Sequence, residues 1–90
     1  MSIKKILVLA RRDHTEAMRV AAGLTISGHS VRLVFMNTPI ADTPENREQA
    51  EMIELCDIEP ETMVPGEELP CLDSAALSLA FLMADDIVTL

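Results

Sequence analysis

Aromatic side chains are almost missing from this sequence: two Phe, no Trp and no Tyr in 90 residues. Hydrophobic residues still make up 49% of it, so the core must be filled by Leu, Ile, Val, Met and Ala, which suits strands interleaved with helices. Basic charge is scarce as well, with seven Lys or Arg against fifteen Asp or Glu and a net charge of −8. Phosphate neutralisation needs an extended basic face, so nucleic acid is not expected as a partner. Cysteine is limited to Cys56 and Cys71 without C-x-x-C spacing, which reads as two thiols of a reducing compartment rather than a bridge. No stretch approaches the roughly 18 apolar residues of a membrane span. The apolar run at residues 6–10, with Arg11 and Arg12 directly behind it, is shorter than the roughly 7 to 15 residues of a secretory signal. A cytoplasmic protein with no membrane partner is the expectation.

Several chemical motifs are missing too. Neither G-x-G-x-x-G nor a Walker-type run follows the first apolar segment, which disfavours dinucleotides and nucleoside triphosphates. There is no G-x-S-x-G elbow of a serine hydrolase. His14 and His29 fall at opposite ends of one predicted helix and no Cys/His cluster has ligand spacing, so neither a metal nor a cofactor is expected. No linker, repeat or low-complexity segment interrupts the chain. A chain of this length buries only about 60 to 68% of its unfolded surface and cannot support two cores. One domain over residues 1–90 is therefore expected.

What is present has the rhythm of an α/β domain. Ile6-Leu7-Val8-Leu9-Ala10 is a continuous apolar run, the pattern of a strand buried on both faces. Asp13 with Glu16 three residues later forms a capping-box signature for a first helix. Ala17, Val20, Ala21 and Leu24 share one face of it, and Gly28 supplies a left-handed stop. A second strand is predicted over 31–36. Thr43-Pro44 opens a second helix with Ala50, Ile53 and Cys56 inward and Glu48, Glu51 and Glu54 in solvent. Residues 62–64 read as a short third strand, followed by a type II turn at Val64-Pro65-Gly66-Glu67. Asp73 or Ser74 caps a third helix running to about Ala84. Residues 87–90 read as a last strand, with Asp85-Asp86 as the solvated turn before it. The alternation predicts a small three-layer α/β domain, three helices around a mostly parallel sheet of about four strands joined by right-handed crossovers.

The third helix contains Ala75 to Ala84 with one polar side chain, Ser78. A helix apolar all round must be covered all round. One side is expected to meet the sheet and the other a partner chain, with Leu77 and Phe81 as interface residues. The positive mean hydropathy points the same way.

Charge is unevenly spread. Residues 1–41 hold six Lys or Arg against Asp13 and Glu16, and residues 42–73 hold eleven acids against Arg47 alone. One basic corner is left for a small anion. Ligands of open α/β sheets bind beyond the carboxyl ends of the strands, where this chain would place Arg11, Arg12, His14 and Thr15 after the first strand and Asn37 and Thr38 after the second; Arg11, Arg12, His14 and Asn37 are the candidate anion-binding residues. Two guanidinium groups beside a helix N-terminus bind anions, and imidazole exchanges protons near neutral pH. The same arginines read equally as solvated loop charges, and His14 as an ordinary first-turn residue. Cys71, in Pro70-Cys71-Leu72-Asp73 ahead of the third helix, is the candidate thiol: a helix N-terminus favours thiolate, whereas Glu67, Glu68 and Asp73 oppose it. Cys56 on the inward stripe reads as structural.

Four segments together resemble the DsrE/DsrF-like family of small sulfur-relay proteins. They are the opening Lys-Lys-Ile-Leu-Val-Leu, the passage Ser27-Gly28-His29-Ser30-Val31, the segment 58–66, and the closing Ala-Asp-Asp-Ile-Val-Thr-Leu over 84–90. The resemblance implies a parallel α/β fold, homo-oligomers or hetero-oligomers with related subunits, a sulfur-carrier protein as a partner and, in active members, a persulfide-bearing Cys after a central strand. This chain departs at that point. Where the family has its cysteine loop, ahead of the segment matched by 58–66, there is an acidic helix, with Cys56 two residues before Ile58 and Cys71 beyond Gly66. The resemblance thus implies either a non-catalytic partner subunit or, if active, a persulfide carrier through Cys71, with no enzymatic activity favoured. A small-anion or metabolite-binding module at the sheet's carboxyl edge is the alternative, and a purely assembling protein a third.

Overall fold

The run at residues 6–10 forms the middle of β1 (Lys5–Ala10) in the computed structural model, and each of those five residues is buried. Strands pair on both edges of β1 and apolar layers pack on both of its faces; this is the environment that a run without polar alternation requires. Residues 3–66 and 68–90 are described. Met1, Ser2 and Glu67, the last belonging to the predicted turn and to the acidic surroundings assigned to Cys71, lie outside the described residues.

Four strands, all parallel, run in the order β3-β2-β1-β4, with β2 at Ser30–Phe35, β3 at Glu61–Thr62 and β4 at Asp86–Thr89. Side chains alternate between the faces. Ile6, Val8 and Ala10 pack with α1 (His14–Ile26) and α2 (Pro44–Leu55), while Leu7, Leu9 and Val34 pack with α3 (Ser74–Met83). The result is the expected three-layer α/β arrangement. Strand limits shift by a residue or two from the predicted ones. The third strand is cut to two residues because the Val64 N–H turns back onto Thr62 Oγ1 at 3.0 Å, and Gly66 takes the positive φ of 86° that a type II turn needs.

Helix ends follow local chemistry. The Asp13 carboxylate accepts from the Glu16 N–H at 3.0 Å, Thr43 Oγ1 from the Asn46 N–H at 3.1 Å, and the Asp73 carboxylate from the Ala76 N–H at 2.8 Å. The reciprocal half of the capping box does not form, since the Glu16 carboxylate takes Arg19 instead and the Asp13 N–H turns to Leu90 O at 3.4 Å. At the other end of α1, His29 N–H reaches Leu24 O at 3.1 Å and Gly28 N–H reaches Thr25 O at 3.0 Å. This is the paired closure that a left-handed glycine, here at φ 95°, permits.

One expectation about burial fails. Ala50 is exposed, and the inward stripe of α2 is Asn46 and Ile53 with Cys56 half-buried; α2 packs chiefly on α1, so its flank toward β3 stays open as a groove. α3 is covered on one side alone. Ala80 is buried and Leu77 rests on the sheet, but Leu79, Leu82 and Met83 remain 57%, 83% and 56% exposed because no further layer of this chain lies beyond them. Asp85 and Asp86 are also more than a turn: the Asp85 carboxylate accepts the Lys5 N–H at 2.8 Å, and Asp86 opens β4 while pairing with Lys4 at 3.2 Å. Among the described residues no helix is long and apolar enough to cross a membrane.

Candidate functional site: a polar cleft at the carboxyl rim

Ala10 and Phe35 are register partners at the ends of β1 and β2, so the two following loops leave the sheet side by side. They are stitched together by Met36 N–H to Ala10 O at 3.0 Å and by the Asn37 side-chain amide to Arg11 O at 3.2 Å. The N–H groups of Arg11, Arg12 and Asp13 converge on a single acceptor, Leu90 O, at 3.0, 2.9 and 3.4 Å. In many α/β proteins such a loop offers its N–H groups to an anion. Here the carbonyl that follows β4 takes them.

A cleft of about 770 Å³ opens beside these loops. Arg12, His14 and Thr15 form one wall and Thr38, Thr43 and Asn46 the other, with Asp13 and Glu45 adding negative charge. The loop after β2 owes its shape to Asn46, which is 7% exposed. Its amide N–H donates to Ala41 O at 2.8 Å while its carbonyl accepts the Thr15 hydroxyl, so one side chain ties α1, α2 and the loop between β2 and α2 together. Of the four residues expected to bind an anion, Arg12 and His14 line this cleft; Arg11 and Asn37 are exposed beside it and hold the backbone. Thr15 and Thr38, which follow the same two strands, line the cleft as well, and only the amide of Asn46 was not anticipated. Asn46 had a signal: it lies seven residues before Ile53, hence on the same helix face.

His14 is the unusual group. It is 9% exposed, its ring meets Phe35 edge-on with centroids 5.2 Å apart, and its Nε2 is buried without a hydrogen-bond partner. Burial holds its pKa below the ordinary value of 6.5, and Asp13 opposes that shift more weakly. The imidazole is therefore neutral at pH 7. A group whose folded pKa is depressed in this way binds its proton more tightly when unfolded, so stability falls as pH drops below about 6.5 and levels off beneath the folded pKa. Thermal melts between pH 7.5 and 5 should show this loss, and His14→Gln should lose less over the same interval; parallel curves would contradict it.

The thiols lie elsewhere. Cys56 ends α2, half-buried, with Sγ 3.9 Å from Ala22 O. Cys71 is exposed and forms a one-residue parallel bridge to Thr62 on the outer side of β3, fastened by Thr62 N–H to Pro70 O at 3.0 Å and Leu72 N–H to Thr62 O at 2.8 Å. Neither lines the cleft. Leu77 packs against the sheet and Phe81 is on the exposed side of α3. Among the described residues no group of three His, Cys, Asp or Glu could hold a metal ion.

No family model, curated protein or solved structure matches the chain. What the cleft can do is therefore read from its own walls. It offers one guanidinium, one neutral imidazole, threonine hydroxyls and the first two N–H groups of α1, which have no intrahelical acceptor. With the carboxylates of Asp13 and Glu45 beside them, these groups can hydrogen-bond a small polar molecule.

Proposed function

We propose that this chain is a DsrE-like subunit in cytoplasmic sulfur handling, one that supplies a ligand-holding rim and an assembly surface rather than the persulfide-bearing thiol. The observation that carries the reading is the placement of sulfur: the rim cleft contains Arg12, His14, Thr15 and Asn46 but neither cysteine. Cys71 is level with the carboxyl ends of β2 and β3 through its bridge to Thr62, but it lies on the outer side of β3, away from the guanidinium of Arg12 that would favour a thiolate. Assembly, as a homo-oligomer or with related subunits, is supported by the uncharged α3, whose exposed Leu79, Leu82 and Met83 are joined by Ile87 on β4, 44% exposed. A sulfur-carrier protein is the further partner this reading adds.

Thermal melts with phosphate, sulfate and thiosulfate at equal ionic strength test the rim. Thiosulfate at about ten times its Kd should stabilise by about 1.4 kcal/mol, roughly 5 to 10 °C in Tm, and Arg12→Ala should abolish the shift. Equal shifts with all three anions would favour the second reading, a small-anion or metabolite-binding module, which the unpartnered His14 Nε2 and the hydroxyl-lined wall support. No shift with any of them would overturn both.

The silent role of Cys71 has its own measurement. With limiting inorganic polysulfide, followed by intact mass spectrometry, Cys71 should take up sulfur no faster than glutathione at the same pH, and the same preparation should scatter light as a species larger than a monomer. Uptake more than tenfold faster, lost in Cys71→Ser, would make the chain a carrier.

A further inference from the structure

A second cavity of about 440 Å³ lies between α2 and the β3 edge and shares no lining residue with the rim cleft. Its floor is Leu33 and Phe35 of β2, one side is Ile53 of α2, and the other is Ile58, Pro60 and Leu69. Cavities of roughly 300 to 1,000 Å³ with mostly apolar walls and a few polar groups are the usual seats of small molecules. The ionisable groups lining this one are Glu54 and Glu59, both exposed at its mouth, with no Lys, Arg or His beside them. The ion pairs Arg19–Glu16, Arg32–Glu61 and Arg47–Asp42 engage three of the arginines elsewhere.

We propose that this groove binds a small apolar cation, an alkyl or arylalkyl ammonium, with its hydrocarbon over Leu33, Phe35 and Ile53 and its ammonium between Glu54 and Glu59. Charge complementarity and size both select this occupant. An apolar anion would bring its charge to two carboxylates, and a neutral apolar molecule would gain nothing from them. The volume matches a molecule of small-metabolite size rather than a helix of another protein. The inference does not depend on the sulfur-handling reading.

The test uses the full chain and three probes of one length, hexylammonium, hexanol and hexanoate, titrated while the methyl signals of Ile40, Ile53 and Leu69 are followed by NMR. Hexylammonium should bind at least threefold tighter than hexanol, and hexanoate most weakly, a margin in keeping with a solvent-exposed ion pair. Ala50→Phe introduces a ring from an exposed position at the groove and should weaken hexylammonium at least tenfold while the spectrum stays that of a folded protein. The double variant Glu54→Gln and Glu59→Gln should erase the preference and leave hexanol binding as it was. Equal affinity for the three probes, a preference that survives the double variant, or shifts centred on Leu79 and Leu82 of α3 would overturn the proposal. So would broadening of the groove methyls with protein concentration alone, which would make a second copy the occupant.

Discussion

Phe35→Ala is expected to cost about 3 to 5 kcal/mol, enough to leave much of the chain unfolded at physiological temperature. Phe35 is 1% exposed at the end of β2, where it pairs with Ala10 and meets the His14 ring edge-on. With two Phe in the chain and Phe81 on the surface, it is the one aromatic residue of the core. The His14 ring it meets is rigid and the alanines of α1 in the same core are short, so the void that truncation leaves is filled only in part and transfer and cavity costs add. Urea unfolding of wild type, Phe35→Ala and Phe35→Leu measures this, with the Leu variant losing less than about 1.5 kcal/mol. A loss below about 1 kcal/mol for the Ala variant would mean that the layer between β2 and α1 is not tightly packed.

Asn46→Ala is expected to cost about 1 to 3 kcal/mol, more than a helix-surface change of that size. It removes the acceptor of the Thr15 hydroxyl and the donor to Ala41 O in one step. Both groups belong to segments that wall the rim cleft, so the damage extends past stability. The Thr43 cap still has the Asn46 backbone N–H to bind, hence α2 should persist while the loop before it loosens. Amide hydrogen exchange separates these: residues 37–43 should exchange markedly faster and the middle of α2 nearly as before. Uniform acceleration across the domain would show that Asn46 supports the whole fold and not that loop.

The contrast between these two residues follows from how each signal is encoded. A strand core residue such as Phe35 is announced by its own segment, because a run of apolar side chains has few ways to leave water. Asn46 is announced by nothing near it except a shared helix face with Ile53, since its partners sit 31 residues back in Thr15 and five residues back in Ala41. His14 is a similar case. Its place in the first turn of α1 was legible, yet its burial depends on Phe35, which reaches it through the pairing of β1 with β2.

Local sequence alone determined the order of elements, the central position of β1, the three acidic or threonine caps and the glycine that ends α1. Each of these is decided within a turn or two of backbone, by an orphan N–H, a φ angle or a run that cannot be half-wet. Tertiary structure decided the rest: that Leu90 O would take the N–H groups of the β1–α1 loop, that Ala50 would face an open groove while Asn46 is buried, and that neither thiol would line the rim cleft. Those outcomes depend on which segments become neighbours and at what register, a property of the packed chain that no single stretch of residues carries.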